Sequence, residues 1–158
     1  MTDTATFAKE IIKNNQYMVL ATSGADTKAW VSPVAYVFNS DFTFYFISKG
    51  KSRHVMNLKK NPYLSVAIFD SHQDFGEGCG LQIEAQAREL TLTEALKVSL
   101  LFLQRKWLYG NLSNRDWFAD VLNNFSYVMY EVKPTIFWMN NPDPQTDEEE
   151  DLRVQVKL

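Results

Sequence analysis

Apolar residues change their period several times along this chain, and each change predicts an element. Phe7, Ile11 and Ile12 recur at helical spacing while Lys9, Glu10 and Lys13 fall elsewhere. This predicts an N-terminal helix with Thr2, Asp3 or Thr4 as its cap, broken at Asn14-Asn15. Tyr17 to Thr22 is a short apolar run, read as a buried strand, and Gly24-Ala25-Asp26 is a turn signal. Ala29 to Phe38 reads as a second strand containing Pro33. A proline there removes one ladder donor and marks a bulge or an unpaired edge. Asn39-Ser40-Asp41 reads as a hairpin turn and Phe42 to Ser48 as the third strand. A basic turn and a short helix follow, ending before Asn61-Pro62. Tyr63 to Phe69 has strand character, and Asp70 to Cys79 is a polar loop. From Leu81 to Leu90 the alternation is regular, with Leu81, Ile83, Ala85 and Ala87 on one side and Gln82, Glu84, Gln86 and Arg88 on the other. That is the pattern of a half-buried antiparallel strand.

Thr91 and Glu94 have capping-box spacing and open a helix predicted to reach about Tyr109, with Leu96, Leu100, Leu101, Leu103 and Trp107 as apolar positions and Gly110 as its stop. Asn114 to Asn123 reads as a shorter helix, and Phe125 to Val132 and Thr135 to Asn140 as strands separated by Lys133-Pro134. The expected organisation is one domain over 1–140 and an acidic C-terminal tail over 141–158, within which Leu152 to Leu158 alternates and could add an edge strand. Hairpin-length connections favour an antiparallel sheet, and few helices accompany it, so the chain reads as mainly β (α+β), closed as a small barrel.

Composition narrows this. An apolar share of 46% in 158 residues supports a folded core without staples. The single cysteine, Cys79, permits no internal disulfide and no cysteine metal site within one chain, which fits a reducing cytoplasm. No basic, apolar leader and no membrane-length apolar run occur, so no membrane role is expected. A net charge of -3 argues against nucleic acid as the main partner.

Against that acidic background one segment stands out. Ser48 to Arg53 packs three cations, Lys49, Lys51 and Arg53, and two hydroxyls, Ser48 and Ser52, into six residues at a strand end, just before a helix start. Full positive charges, neutral donors and a helix N-terminus together suit a dianionic phosphate. The alternative is a solvated basic loop. His54 could bond the phosphate or, in a haem-binding relative of such a fold, serve as an axial ligand, but the favoured reading is a first-turn helix residue near the phosphate. Asp70, His72, Asp74 and Glu77 could bind a metal, but a polar loop between strands is the favoured reading, and no metal site is expected. Cys79 lacks a neighbouring histidine and reads as inert.

In order and motif the chain resembles the pyridoxamine 5'-phosphate oxidase-like family, the FMN-binding split β-barrel, over about Ala8 to Met139. The resemblance is carried by Met18-Val19-Leu20-Ala21-Thr22, Trp30-Val31-Ser32-Pro33-Val34, Ser48 to His54, Asn57-Leu58-Lys59-Lys60-Asn61-Pro62 and Gly80 to Ala87. It implies a six- to seven-stranded antiparallel split barrel with flanking helices, a homodimer, and FMN at the subunit interface. Trp30, Val31 and Ser32 would lie along the isoalloxazine ring. Ser48 and Lys49 would meet the ring edge and ribityl chain, and Lys51, Ser52 and Arg53 the phosphate, with His54 beside it. Gln82 and Trp138 would come from the partner subunit. Physical chemistry agrees with such a ligand. Trp30, Tyr45 and Gln82 suit a flat amphipathic ring, and a cation such as Lys49 favours its reduced anion. Thr135-Ile136-Phe137-Trp138-Met139 replaces the substrate motif of the vitamin-forming oxidase, so the implied activity is flavin-dependent oxidoreduction of an unspecified small molecule. The alternatives are a non-enzymatic flavin- or haem-binding storage or sensor protein, and an assembly protein with an empty barrel.

Overall fold

A computed structural model describes residues 3–74, 79–104, 126–140 and 153–158. In chain order these form α1 (Thr4–Asn14), β1 (Tyr17–Ser23), β2 (Ala29–Ala35), β3 (Val37–Phe38), β4 (Phe44–Lys49), α2 (Arg53–Leu58), β5 (Tyr63–Phe69), β6 (Gly80–Glu89), α3 (Leu92–Gln104), β7 (Tyr127–Asn140) and β8 (Arg153–Val156). Every strand pair is antiparallel, in the order β2-β1-β5-β6-β7-β4-β3, with β8 added to β7.

That order explains how the sheet closes. β2 and β3 are the two edges of the path, yet only Tyr36 separates them in sequence. One residue spans a few ångströms, so the sheet must curl until its edges nearly meet. The fold is therefore the expected split barrel. The single strand predicted over Ala29 to Phe38 is instead two strands on opposite edges, broken at Tyr36. Its ring is fully buried, and its hydroxyl donates to the Ile12 carbonyl of α1 at 2.6 Å, so the break is anchored to the helix that plugs the barrel. Pro33 sits in β2, whose single partner strand is β1, so its missing donor faces no second strand.

Two further expectations change. The third strand starts at Phe44, because Phe42 adopts φ 55° within a turn in which the Asn39 side chain accepts from the Asp41 and Thr43 amides. Lys133-Pro134 does not divide two strands: β7 runs through it, and the register shifts at Glu84/Ala85, where Thr135 becomes the extra residue and donates its hydroxyl to the Glu84 carbonyl at 3.0 Å. A bulge absorbs the proline. The predicted helix Asn114 to Asn123, and the predicted helix end near Tyr109 and Gly110, lie outside the described residues.

The main core takes Ala8, Ile11 and Ile12 from α1 and the inward positions of the strands, among them Met18, Leu20, Phe44, Phe46, Ile68 and Ile83. A smaller cluster on the other face of β3, β4 and β7 joins Val37, Tyr45 and Met129 to Phe102 of α3. The capping box is real, with Thr91 N–H donating to Glu94 Oε2 at 2.9 Å. Arg88 then binds Glu94 from one side and Glu131 from the other at 2.9 to 3.1 Å, fastening the start of α3 to β6 and β7. Of the four leucines expected at apolar positions of this helix, Leu101 alone packs on the cluster. Ala95, Val98, Leu101 and Phe102 face the cluster, while Leu96, Leu100 and Leu103 are exposed.

Candidate functional site

The basic segment closes as a tight turn at the end of β4. Ser52 N–H donates to the Lys49 carbonyl at 2.9 Å, and Gly50 N–H donates to the Ser126 carbonyl at 2.8 Å, just ahead of β7. α2 is held beneath the turn by two amides: Asn57 donates to Thr22 Oγ1 at 3.1 Å and Asn61 to Ser23 Oγ at 3.2 Å, both on β1. Gly24 follows β1 because a Cβ there would sit 2.7 Å from Asn57 Oδ1. The turn is thus fixed at three points rather than loose.

Lys49, Lys51 and Arg53 are all exposed, and among the described residues no carboxylate lies within ion-pair distance of them. Three unneutralised cations within five residues repel one another, and an anion relieves that repulsion. The structure also joins two segments that sequence alone left apart. The Arg53 guanidinium lies over the Trp30 ring of β2, 4.4 Å from its centroid. Val31 beside it is 60% exposed and faces outward, whereas Ser32 is buried on the inner face and Tyr45 belongs to the smaller core cluster. Of the second-strand residues, Trp30 and Val31 can meet a ligand. Tyr45 cannot, and burial pushes its phenol pKa up.

His54 does not stand among the cations. It is buried, with its ring edge-on to Phe46 at 5.9 Å. Its Nε2 lies 2.8 Å from Ser48 Oγ and 3.2 Å from Ser52 Oγ, and the two hydroxyl oxygens are 3.2 Å apart. Burial pushes the imidazole pKa below its ordinary value. No sequence signal reports this triangle, because the residues alternate between strand, turn and helix.

The remaining predicted residues stand elsewhere. Gln82 of β6 faces Trp138 of β7, whose indole N–H donates to Glu84 Oε1 at 3.0 Å. Gln82 Oε1 is buried with no hydrogen-bond partner among the described residues. It borders a cavity of about 300 Å³ lined also by Ala67, Phe69, Cys79 and Asn140. An unpartnered buried acceptor is costly, so a donor on a bound ligand would be favoured here. On β7, Lys49 pairs with Tyr127 and Gln82 with Trp138, eleven residues further on. At the strand rise that is roughly 35 Å. The basic turn and the Gln82–Trp138 pair therefore lie beside opposite ends of β7.

The acidic loop makes a local pair. His72 Nδ1 lies 3.1 Å from Asp70 Oδ1, and the His72 backbone N–H also donates to that carboxylate, holding its pKa below the usual range. Glu77 lies outside the described residues. Burial pushes the Cys79 thiol pKa up, away from nucleophilic character. A feature the sequence reading missed is an outer-face groove of about 620 Å³ lined by Ala21, Ser23, Ala29, Tyr63, Ser65 and Glu84. Its signal was present as small residues at outward strand positions. No helix among the described residues is long and apolar enough to cross a membrane.

Comparison with known proteins adds the following. The sequence profile described as pyridoxamine 5'-phosphate oxidase matches residues 5–112. No curated protein sequence matches the chain. Among solved structures, HutZ, the haem storage protein from Vibrio cholerae, superposes with a TM-score of 0.68 at 17% identity, covering 85% of this chain and 92% of that one. A haem-binding protein from Mycobacterium smegmatis gives 0.72 at 12% identity, covering 99% of this chain and 58% of its own. A FAD-binding protein from Mesorhizobium loti gives 0.63 at 15% identity, covering 86% and 91%. At these identities the likeness concerns the fold.

Proposed function

This chain belongs to the pyridoxamine 5'-phosphate oxidase family, and from that premise we propose that two copies of it bind FMN between them and act as a flavin-dependent oxidoreductase on a small molecule. The observation that carries the reading is the unneutralised cluster of Lys49, Lys51 and Arg53, fixed beside Ser48 and Ser52 and stacked on Trp30. Its charge and donor set match a terminal phosphate. Val31 offers an exposed β-branched wall for a flat ring. The unpartnered Gln82 Oε1 suits a ring N–H donor.

The separation of the half-sites supports the second copy. Along β7 the Lys49 and Gln82 positions are eleven residues apart, and a two-fold arrangement would bring the Gln82 end of one copy to the cationic end of another. The outward sheet face suits such contact. The registers place Pro33, Val19, Ala67, Gln82 and Trp138 in one row across five strands, and Val31, Ala21, Ser65, Glu84 and Ile136 in the next. Small and apolar residues dominate both rows, so backbones can approach closely.

In this arrangement Lys51, Arg53, Ser48 and Ser52 bind the phosphate, Lys49 lends positive charge toward the ring edge, and Trp30 holds Arg53 in place. Gln82 and Trp138 of the partner subunit orient the ring's polar edge. A bound flavin supplies hydride acceptance and donation itself, so the chain needs no acid–base pair. The single cysteine suits a reducing cytoplasm.

The second reading keeps the fold and replaces turnover with flavin or haem storage. It is favoured by the haem proteins among the structural neighbours. For haem, an axial imidazole would have to come from His54, which is turned inward, or His72, which is paired with Asp70. The test is a visible spectrum of the purified protein before and after FMN addition, then reduction by a nicotinamide donor. Two flavin bands that survive gel filtration and bleach on turnover support the oxidoreductase. Flavin bands without turnover support storage, and a Soret band supports haem. A colourless protein that refuses FMN overturns the flavin reading.

A further inference from the structure

We propose that His54 is a positioning residue whose ring nitrogen decides whether the Ser48 and Ser52 hydroxyls can donate to a bound phosphate. The inference rests on the reading of the basic turn as a phosphate site. Its basis is the closed triangle of Nε2 and two hydroxyl oxygens at 2.8, 3.2 and 3.2 Å. Proton counting decides what that triangle can do. With the imidazole proton on Nδ1, Nε2 is an acceptor. One serine then donates to Nε2, so at most one hydroxyl proton is left for a ligand, and none if the second serine donates to the first. With the proton on Nε2, the ring donates to Ser48 Oγ. At least one hydroxyl proton, and both if neither serine bonds the other, is then free to point out of the triangle.

Both serines are half-buried, bordering the cationic turn on one side and His54 on the other. Ser52 precedes α2 yet makes no side-chain capping bond, so its hydroxyl is not committed to the helix. The ring is buried and packs edge-on against Phe46. An anion at the turn therefore selects the Nε2–H tautomer, and that tautomer in turn raises affinity for the anion. Lys51 and Arg53 supply attraction; the triangle supplies directed donors that a neutral ligand does not use.

The experiment compares wild type with His54→Asn and His54→Gln. The glutamine amide reaches the ε position with a permanent donor, while the shorter asparagine leaves that position empty. Affinities for FMN, riboflavin and inorganic phosphate are measured, with a thermal melt for each variant. His54→Asn is expected to lose about tenfold of the preference for FMN over riboflavin and a similar factor for inorganic phosphate, with riboflavin affinity unchanged. His54→Gln is expected to restore both to within about threefold of wild type. Equal loss of both flavins in step with melting temperature, or an asparagine variant with undiminished preference, overturns the inference. If wild type takes up no FMN yet binds phosphate through His54, the inference stands and the FMN reading falls. If FMN binds and neither variant alters the preference, the reverse holds.

Discussion

The two ends of β7 are chemical opposites. Its first residues lie beside Ser48 and Lys49, at the turn where Lys49, Lys51 and Arg53 gather with no ion-paired carboxylate among the described residues. Its last residues carry Trp138, bonded to the Glu84 carboxylate, beside Gln82, whose buried acceptor has no partner among the described residues. One end attracts an anion, and the other orients a flat polar edge. On the proposed reading this fourteen-residue strand is a spacer, and a second copy completes each site.

Replacing the charge should break the comparison most severely. Lys51→Ala with Arg53→Ala is expected to weaken FMN by about a hundredfold or more, since two charge-assisted contacts go at once. The far-UV circular dichroism should stay that of wild type, because both side chains are exposed. Retained FMN on gel filtration would show that the phosphate is held elsewhere.

Mixing sharpens the comparison. A chain carrying the double replacement and a chain carrying Trp138→Ala should each bind FMN poorly. After co-refolding, about a quarter of the sites should recover, because half the random dimers are mixed and one of their two sites is intact. No recovery would place both half-sites of each ligand in a single chain.

A smaller effect separates fold from site. Tyr36→Phe removes the 2.6 Å bond to the Ile12 carbonyl at the join between the barrel edges. It should cost about 1–2 kcal/mol, or a few degrees in Tm, while the FMN Kd stays constant. A shifted Kd at unchanged Tm would couple the closure to the site.

The smallest effect concerns α3, remote from both half-sites. Hydrogen bonds from Arg88, and then from Thr91, hold the Glu94 carboxyl down to about 2, against an ordinary 4.5. The folded chain therefore binds this proton only at lower pH than the unfolded chain does. The contribution is complete above about pH 4.5 and is lost as pH falls through about 2. Amide exchange along α3 should rise over that window, and Glu94→Gln should flatten the rise. The pair is exposed, so the change is modest.

Much of the barrel was legible in the chain. Alternation from Leu81 to Leu90 follows from the two-residue period of a strand, and the capping box follows from local donors at a helix start. Pro33 signalled the sheet edge because a missing donor is tolerated there. Tyr36 was not legible, since a residue that breaks one strand into two opposite edges looks like any β residue. Pro134 was misleading, because a bulge across the sheet at Glu84 made room for it. The leucines of α3 showed helical period, but period does not say which stripe is buried.

Sequence by itself determined which residues could hold a phosphate, because charge, hydroxyls and spacing are local properties of Ser48 to Arg53. It also determined the strand periods and the family. Only the tertiary structure decided that Arg53 stacks on Trp30, that His54 turns inward to two serines, and that Gln82 and Trp138 lie far from the turn. Those relations join residues from separate elements, and the curl of the sheet sets them. No local pattern along the chain records that curl.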